Sequence, residues 1–74
     1  MKLPIVYLDP GHGGHDSGAL GPSGLKESDM ALDICRRARR LLAGKVEVKL
    51  TRDSDVFYSL WERPQMANNG NADL

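Results

Sequence analysis

The N-terminal third of the sequence constrains the fold most, because an apolar run there ends abruptly in a glycine-rich stretch. Residues 3–8 are apolar almost throughout, which is typical of a strand buried on both faces of a parallel sheet. Asp9 and Pro10 end this run, and residues 11–24 contain six of the eight glycines. Loops of this length inside compact domains are usually functional or disordered. We therefore expect a buried strand followed by a long loop of one of these two kinds.

Residues 28–43 change to a helical pattern. Apolar side chains recur every three to four residues along one side of this segment, at Met30, Ala31, Ile34, Cys35, Ala38, Leu41 and Leu42. Acidic residues crowd its N-terminal end and arginines its C-terminal end, which matches the sign of the helix dipole. Gly44 stands where a glycine commonly ends a helix. The pattern predicts an amphipathic helix over residues 28–43 with this apolar stripe in the core.

Residues 45–51 alternate between apolar and polar side chains. Val46, Val48 and Leu50 point one way, and Lys45, Glu47, Lys49 and Thr51 point the other. This alternation predicts a strand with one covered face and one face in water. A strand, a helix and a second strand over this distance form a βαβ unit, in which the two strands are parallel.

A second helix is predicted over residues 59–69, with Ser59 as its N-cap. Pro64 lies one turn inside this segment, where it lacks an N–H and crowds the carbonyl four residues earlier. Either the regular helix begins near Arg63 with Pro64 in its first position, or residues 59–63 form a kinked first turn. We expect a break near Arg63, because the residue before a proline is disfavoured in the α region.

The predicted fold class is α/β, a βαβ unit with parallel strands and a second helix. Residues 72–74 look like the approach to a third strand. A parallel sheet of two strands is a poor stopping place, because parallel strands need both faces covered and neighbours on each side. We therefore expect residues 1–74 to be the N-terminal part of a single domain, the beginning of a larger open-sheet α/β domain.

Length, charge and cysteine content exclude several classes of function. A chain of 74 residues holds at most one domain. Ten Lys and Arg residues balance ten Asp and Glu residues, so the chain as a whole is not a polycation built for nucleic acid or an acidic membrane surface. Cys35, the one cysteine, excludes an internal disulfide and a four-cysteine zinc module. No apolar run approaches the roughly 20 residues that span a bilayer, and the N-terminus is too soon interrupted for a secretory signal.

The glycine-rich loop does not fit the phosphate-binding motifs. A dinucleotide fingerprint that starts at Gly11 would need a glycine where Asp16 stands, and the chain contains no Gly-Lys-Ser or Gly-Lys-Thr. The carboxylates of Asp9 and Asp16 would also repel a phosphate. The loop instead places metal-competent side chains, His12 among them, at the carboxyl end of the first strand, where open α/β sheets bind ligands.

A series of motifs follows along the whole chain. In order, they are Asp9-Pro-Gly-His-Gly-Gly-x-Asp16-x-Gly18-Ala19, Gly24-x-x-Glu27, Thr51-Arg52-Asp53, Leu60-x-x-Arg63, Ala67-Asn68 and Ala72-Asp73-Leu74. Together they resemble the N-terminal half of the zinc-dependent N-acetylmuramoyl-L-alanine amidases of the Amidase_3 type. The first motif is specific, and the later ones are weak singly but occur in the family's order. The resemblance implies a hydrolase that cleaves the amide between N-acetylmuramic acid and L-alanine of the peptidoglycan stem peptide.

The same resemblance implies a zinc site to which this chain contributes two ligands, His12 and Glu27. In the family, the third ligand is a histidine in a Ser-Ile-His-like motif just after Ala-Asp-Leu, and the catalytic glutamate follows later still. The sequence stops at Leu74, before both, so we expect an amidase domain truncated before its third ligand, and no catalytic residue can be assigned. Zinc accepts histidine nitrogen and glutamate oxygen, and a His₂Glu set with one open position marks catalytic zinc.

Each assignment has an ordinary alternative. A lone His12 can be a surface or hydrogen-bonding residue, and Glu27 can be an N-terminal-turn acid favoured by the helix dipole. His15 is the competing histidine, but the family pattern leaves its position free, and we expect it to be a solvated residue at the rim. Asp9 and Asp16 are expected to fix the loop or to hydrogen-bond a ligand imidazole.

Arg52 and Arg63 can either contact substrate carboxylates or act as structural ion-pair partners. We expect the structural role, because neither arginine lies in the loop that carries His12.

Two functions remain for the chain. The first is the N-terminal part of a zinc-dependent amidase with peptidoglycan as its substrate and neither nucleic acid nor a membrane as a partner. The second is a non-catalytic truncated remnant or interaction fragment. Oligomeric state and stem-peptide preference stay open. We expect action on the cell wall, because peptidoglycan is the implied substrate. Since no signal segment is evident, the protein would be either a lysin held in the cytoplasm until lysis or a secreted enzyme trimmed at its start.

Overall fold

The computed structural model describes residues 2–74 and has the order strand, helix, strand, helix. The elements are β1 (Ile5–Leu8), α1 (Glu27–Leu42), β2 (Glu47–Leu50) and α2 (Glu62–Asn69), with a short 3₁₀ turn at Pro22–Gly24. β1 and β2 pair in parallel, from Ile5 opposite Glu47 to Leu8 opposite Leu50. The predicted βαβ unit and second helix are therefore confirmed.

The last residues lie along the free edge of β1. The Tyr7 N–H donates to the Leu74 carbonyl at 2.9 Å, and the Leu74 N–H donates to the Ile5 carbonyl at 3.3 Å. This slanted pair of bonds is the parallel pattern, with Val6 opposite Leu74. The Asp73 carboxylate also accepts the Ile5 N–H at 2.7 Å. β1 thus has neighbours on both edges, as expected from the approach of residues 72–74 to a third strand.

The apolar stripe of α1 is only partly buried. The buried residues of α1, Ser28 and Leu32, lie outside the predicted stripe, whereas Met30, Ile34 and Leu41 within it are 46%, 61% and 79% exposed. The expected stripe is therefore wrong at these three positions. α1 packs against β2, and the narrow sheet of residues 2–74 covers only one flank of the helix. Of the helices in residues 2–74, none combines the length and apolar character that a membrane crossing requires.

The strands are less buried than predicted, and one residue of the second strand is more buried. In β1 only Ile5 is buried, and the three residues after it are half-buried. β2 alternates as predicted, with Val48 and Leu50 more covered than their neighbours. Thr51, expected on the wet face, is buried. It lies beyond the end of β2, and its hydroxyl donates to Asp9 Oδ1 at 2.8 Å.

Ser59 caps α2 with a reciprocal pair of hydrogen bonds. The Glu62 N–H donates to Ser59 Oγ at 3.2 Å, and the Ser59 N–H donates to Glu62 Oε1 at 2.9 Å. This is a capping box, and the Ser59 N–H bond lowers the pKa of the Glu62 carboxyl below its usual value. Ser59 therefore makes the capping bonds that the prediction requires, but it does so one turn ahead of α2, whose first residue Glu62 directly follows Trp61.

The regular part of α2 begins at Glu62, one residue before the expected break at Arg63. Pro64 is the third residue of this helix, so its expected place in the first position is wrong. The Arg63 N–H already donates to the Ser59 carbonyl at 3.3 Å. Pro64 has no N–H to continue that series to Leu60, which is why residues 60 and 61 form a turn and not a full helical turn.

Replacing Ser59 by alanine tests the capping box. Ser59→Ala removes the acceptor for the Glu62 N–H, so we expect the free energy of unfolding to fall by about 1 kcal/mol. Urea denaturation followed by circular dichroism measures this change. Ser54→Ala is the matched control, because the exposed Ser54 offers only its backbone carbonyl to hydrogen bonds. An unchanged midpoint in Ser59→Ala would contradict the assignment.

Candidate metal centre

The loop after β1 turns back on itself directly after His12. The Gly13 N–H donates to the Asp16 carbonyl at 2.7 Å, and the Asp16 N–H donates to the Gly13 carbonyl at 2.9 Å. His12 itself has a φ of 64°, a left-handed conformation that histidine adopts more readily than most residues. The turn brings the side chains of His12 and Asp16 together.

The His12 ring lies between two carboxylates. Its Nδ1 is 2.9 Å from Asp16 Oδ2, and its Nε2 is 2.8 Å from Glu27 Oε2. Fifteen residues separate His12 from Glu27 in the chain, so the fold and not local sequence brings these two atoms together. The expectation that His12 and Glu27 converge at the carboxyl end of the sheet is confirmed.

Glu27 is held in place by the backbone of Ala19, in the glycine-rich loop that precedes α1. The Ala19 N–H donates to Glu27 Oε1 at 3.0 Å, and the Glu27 N–H donates to the Ala19 carbonyl at 2.9 Å. The Gly18 N–H donates to Asp16 Oδ1 at 3.0 Å. Each carboxylate therefore gives one oxygen to the backbone and the other to the His12 ring.

Gly18 provides the surface on which the His12 ring rests. A Cβ at Gly18 would lie 2.7–2.9 Å from three atoms of the ring, and its φ is 66°. Gly13 is restricted in the same way, because its Cβ would overlap the Val56 carbonyl oxygen and lie 2.8 Å from Arg52 Nε. At these two positions glycine is required both by backbone conformation and by close approach.

Arg63 reaches from α2 to the loop and is 6% exposed. Its guanidinium donates to one carboxylate and three carbonyls: Asp9 Oδ1 at 2.6 Å, Pro10 O at 2.7 Å, His12 O at 2.9 Å and Tyr58 O at 2.9 Å. Asp9 thus fixes the loop by accepting from Arg63 and Thr51. The structural role expected for Arg63 and the loop-fixing role expected for Asp9 are confirmed.

Arg52 is 3% exposed and donates only to backbone carbonyls. None of the ion pairs within residues 2–74 includes Arg52. Its role is structural as expected, but it is not an ion-pair partner. Sequence reasoning missed these contacts. The signal that was available is the position of Arg52 just beyond the end of β2, on the edge of the sheet where His12 also lies.

The hydrogen bonds around His12 shift three pKa values. Asp16 first, and Glu27 second, raise the pKa of His12 above its ordinary value of 6.5. The His12 ring, and then the Gly18 N–H, lower the pKa of Asp16. The Ala19 N–H, followed by the His12 ring, lowers the pKa of Glu27. The two carboxylates therefore stabilise the protonated form of the His12 ring relative to an unperturbed imidazole.

The donor atoms at this position fit half of a zinc site. A histidine nitrogen and a carboxylate oxygen face each other, and the second ring nitrogen is held by a carboxylate, as metal-binding histidines usually are. Within residues 2–74, no group of three or more His, Cys, Asp or Glu side chains converges so that it could hold a metal ion. His15 is exposed, as expected, and its ring makes a tilted contact with Phe57, with the ring centroids 4.4 Å apart.

An open cleft adjoins the His12 ring. His12, Asp16 and Arg63 form its polar side, and Phe57, Tyr58 and Leu60 form its apolar side. A cleft with a few convergent polar groups and an apolar wall is the usual form of a ligand site.

Comparison with known proteins places the chain in one family. The family described as N-acetylmuramoyl-L-alanine amidase, Amidase_3, matches residues 6–74. The chain is similar to the endolysin of Bacillus phage SPP1, with 51% identity over 72 residues that cover 95% of this chain and 26% of the relative. The chain spans 16% to 28% of the length of the curated relatives that it resembles.

Solved structures agree. The fold matches N-acetylmuramoyl-L-alanine amidase AmiC2 of Nostoc punctiforme with a TM-score of 0.85 and 46% identity, over 93% of this chain and 39% of that chain. It also matches an N-acetylmuramoyl-L-alanine amidase of Clostridium difficile 630 with a TM-score of 0.91 and 34% identity, over 99% of this chain and 41% of that one. The two strands and two helices are thus part of an α/β amidase fold.

The stability of the metal-free chain should depend on pH through these three groups. The raised pKa of His12 adds stability that is complete below 6.5 and is lost as pH rises through the folded value. The lowered pKa values of Asp16 and Glu27 add stability above 3.8 and 4.5, which is lost as pH falls through their folded values. We expect the free energy of unfolding to be greatest between pH 4.5 and pH 6.5, measured by urea unfolding in the presence of a chelator.

His12→Gln and His15→Gln separate this effect from general charge effects. His12→Gln should remove the loss of stability on the alkaline side, and His15→Gln should leave it in place. Identical pH profiles for the native chain and His12→Gln would contradict the assignment.

Proposed function

The chain belongs to the Amidase_3 family of N-acetylmuramoyl-L-alanine amidases, and from this we propose that it carries the first half of a zinc-dependent peptidoglycan hydrolase site. The bond cleaved is the amide between N-acetylmuramic acid and L-alanine of the stem peptide. His12 and Glu27 are the two zinc ligands that this chain supplies. The protein would act on the cell wall, where its substrate lies.

One observation carries the proposal: the His12 Nε2 and Glu27 Oε2 atoms meet at 2.8 Å at the carboxyl edge of the sheet. Each group is oriented independently, His12 by Asp16 and Glu27 by the Ala19 N–H. A hydrogen-bonded pair needs no such support on both outer sides, whereas a ligand pair gains affinity from it.

Zinc, when bound, would polarise the scissile carbonyl and lower the pKa of the attacking water. The chain's own residues prepare for this. Asp16 keeps a proton on His12 Nδ1, which leaves Nε2 as the nitrogen that can serve as a ligand. The proton now shared between Nε2 and Glu27 must leave before either atom binds a metal, so zinc uptake should weaken as pH falls.

The sheet register supports the place of a third ligand. Val6 stands opposite Leu74 in the parallel pairing at the free edge of β1, so the second and third residues after Leu74 would lie beside Leu8 and Asp9. The family's third histidine follows Ala-Asp-Leu at about this distance. In a protein that continues in the family's way, it would reach the edge of the sheet where His12 lies, and the catalytic glutamate would come from later residues.

The cleft beside His12 provides room for the substrate. Its apolar wall of Phe57, Tyr58 and Leu60 lies next to the candidate ligands, so a substrate whose scissile amide faced His12 would have its neighbouring groups against this wall. No nucleic acid or membrane partner is proposed.

A second candidate function rests on a different observation. Residues 2–74 contain no three-ligand group that could hold a metal ion. The chain by itself would then be a non-catalytic fragment with weak zinc affinity and no peptidoglycan hydrolysis. Zinc content and release of free L-alanine amino groups from purified peptidoglycan, measured on the chain alone and on a protein with the residues after Leu74, separate the two candidates.

Removal of either ligand tests the zinc assignment. In the longer protein, His12→Ala and Glu27→Ala should each abolish hydrolysis, because each removes one of the metal's protein ligands. Each should also lower zinc affinity by about tenfold or more, because the loss of a residue that only orients a metal ligand already costs roughly that much. Zinc content after dialysis measures occupancy, and chromatography of released peptides measures hydrolysis.

His15→Ala is the matched control, because His15 lies three residues further along the same loop and its ring contacts Phe57 and not Glu27. It should retain zinc and most activity. Full zinc occupancy in His12→Ala would reject the assignment and move attention to His15.

A further inference from the structure

One nitrogen of Arg52 touches both segments that carry the candidate ligands. Arg52 Nη2 donates to the Gly11 carbonyl at 2.8 Å and to the Ser28 carbonyl at 2.9 Å. Gly11 directly precedes His12, and Ser28 directly follows Glu27. A single nitrogen atom therefore bridges the two ligand segments.

The rest of the guanidinium is committed in the same manner. Its Nε donates to the Pro10 carbonyl at 3.1 Å, and its Nη1 donates to the Ser54 carbonyl at 3.0 Å. A buried charge without a carboxylate partner is costly unless its donors are all used. Arginine tolerates this position because its planar fork carries several fixed donors and is weakly hydrated. An ordinary core position would have been filled more cheaply by an apolar side chain.

The backbone hydrogen bonds that tie the start of α1 to the loop end at residues further from His12: the Ser28 N–H donates to the Ser17 carbonyl at 3.0 Å, and the Glu27 N–H donates to the Ala19 carbonyl at 2.9 Å. Arg63 donates to the His12 carbonyl but to no residue of α1. The covalent route from His12 to Glu27 runs through residues 13–26, which contain five glycines and carry a high conformational entropy. Apart from the candidate ligands themselves, Arg52 is the side chain within residues 2–74 whose hydrogen bonds reach both segments.

We propose that Arg52 is a positioning residue that holds His12 and Glu27 at ligand spacing before any metal binds. This rests on the proposed zinc site, to which Arg52 contributes no atom. Its contribution is to fix two carbonyls, so that the metal does not have to order a glycine-rich loop on binding. Preorganisation of this kind raises affinity by lowering the entropy lost on binding.

Arg52→Lys is the informative variant. Lysine keeps the positive charge. Its single ammonium nitrogen lies on a flexible stem, however, and cannot replace the three guanidinium nitrogens that donate to four carbonyls. In the full chain without metal, we expect loss of the nuclear Overhauser contacts between the His12 ring protons and the Glu27 side chain. Titration with Zn²⁺ alone, followed by the His12 ring shifts, should show a dissociation constant raised by about tenfold or more.

Thr51→Val is the matched control, because Thr51 is the buried neighbour of Arg52 and its hydroxyl bonds to neither ligand segment. The variant loses one hydrogen bond to Asp9, but the bond from Arg63 still holds Asp9. The variant should lower the unfolding midpoint yet keep the His12–Glu27 contacts and the zinc affinity. If Arg52→Lys behaves like Thr51→Val in both readouts, Arg52 is a purely structural residue and the proposal is overturned.

Two further outcomes are decisive. If Arg52→Lys does not fold, the native chain still tests the bridge, because contacts from the Arg52 Hη protons to both Gly11 and Ser28 are expected and their absence overturns it. If a longer protein that carries the residues after Leu74 binds no zinc, the proposed function fails. The role of Arg52 is then tested separately by the contacts between His12 and Glu27 in the metal-free chain. Loss of these contacts in Arg52→Lys supports the positioning role.

Discussion

Two buried guanidinium groups hold the loop after β1, and the candidate site depends on them. Arg52 and Arg63 between them bind the carbonyls of Pro10, Gly11 and His12. Those three carbonyls belong to the segment where the strand has ended and no sheet partner remains, so they need donors from elsewhere. The arginines supply these donors from positions more than forty residues away in the chain, and the backbone of the loop is thereby fixed.

Once the backbone is fixed, the ring of His12 has little freedom. Its left-handed φ, the close approach of Gly18 and the carboxylate of Asp16 each restrict it from a different side. The strain of that conformation is maintained only because its surroundings over-determine it, which is the usual condition of backbone strain at a functional site. Glu27 meets the same ring from the first residue of α1, where Ala19 holds its other oxygen. Backbone contacts thus assemble the site, and the two candidate ligands are oriented before a metal binds.

Periodicity and parallel topology predicted the elements well, whereas the pairing of His12 with Glu27 was implied by the family resemblance. A strand end and a helix start can meet at the carboxyl edge of a parallel sheet, which is consistent with that pairing. The exposure of Ile34 and Leu41 was missed, since periodicity identifies an apolar face but not how much of it a narrow sheet can cover. The carbonyl partners of Arg52 were also missed, because a carbonyl is present at every residue and leaves no mark in the sequence. The start of α2 was one residue off, since the Ser59 cap and the missing N–H of Pro64 act on the same turn.

The central claim is that the paired atoms of His12 and Glu27 are half of a metal site and not merely an ion pair. Diffraction data from crystals soaked in zinc, collected at the zinc absorption edge, test this most directly. The account predicts an anomalous peak at bonding distance from His12 Nε2 and Glu27 Oε2, with Asp16 still in contact with His12 Nδ1. A peak at His15, or zinc bound elsewhere while the His12–Glu27 hydrogen bond stays intact, would contradict it.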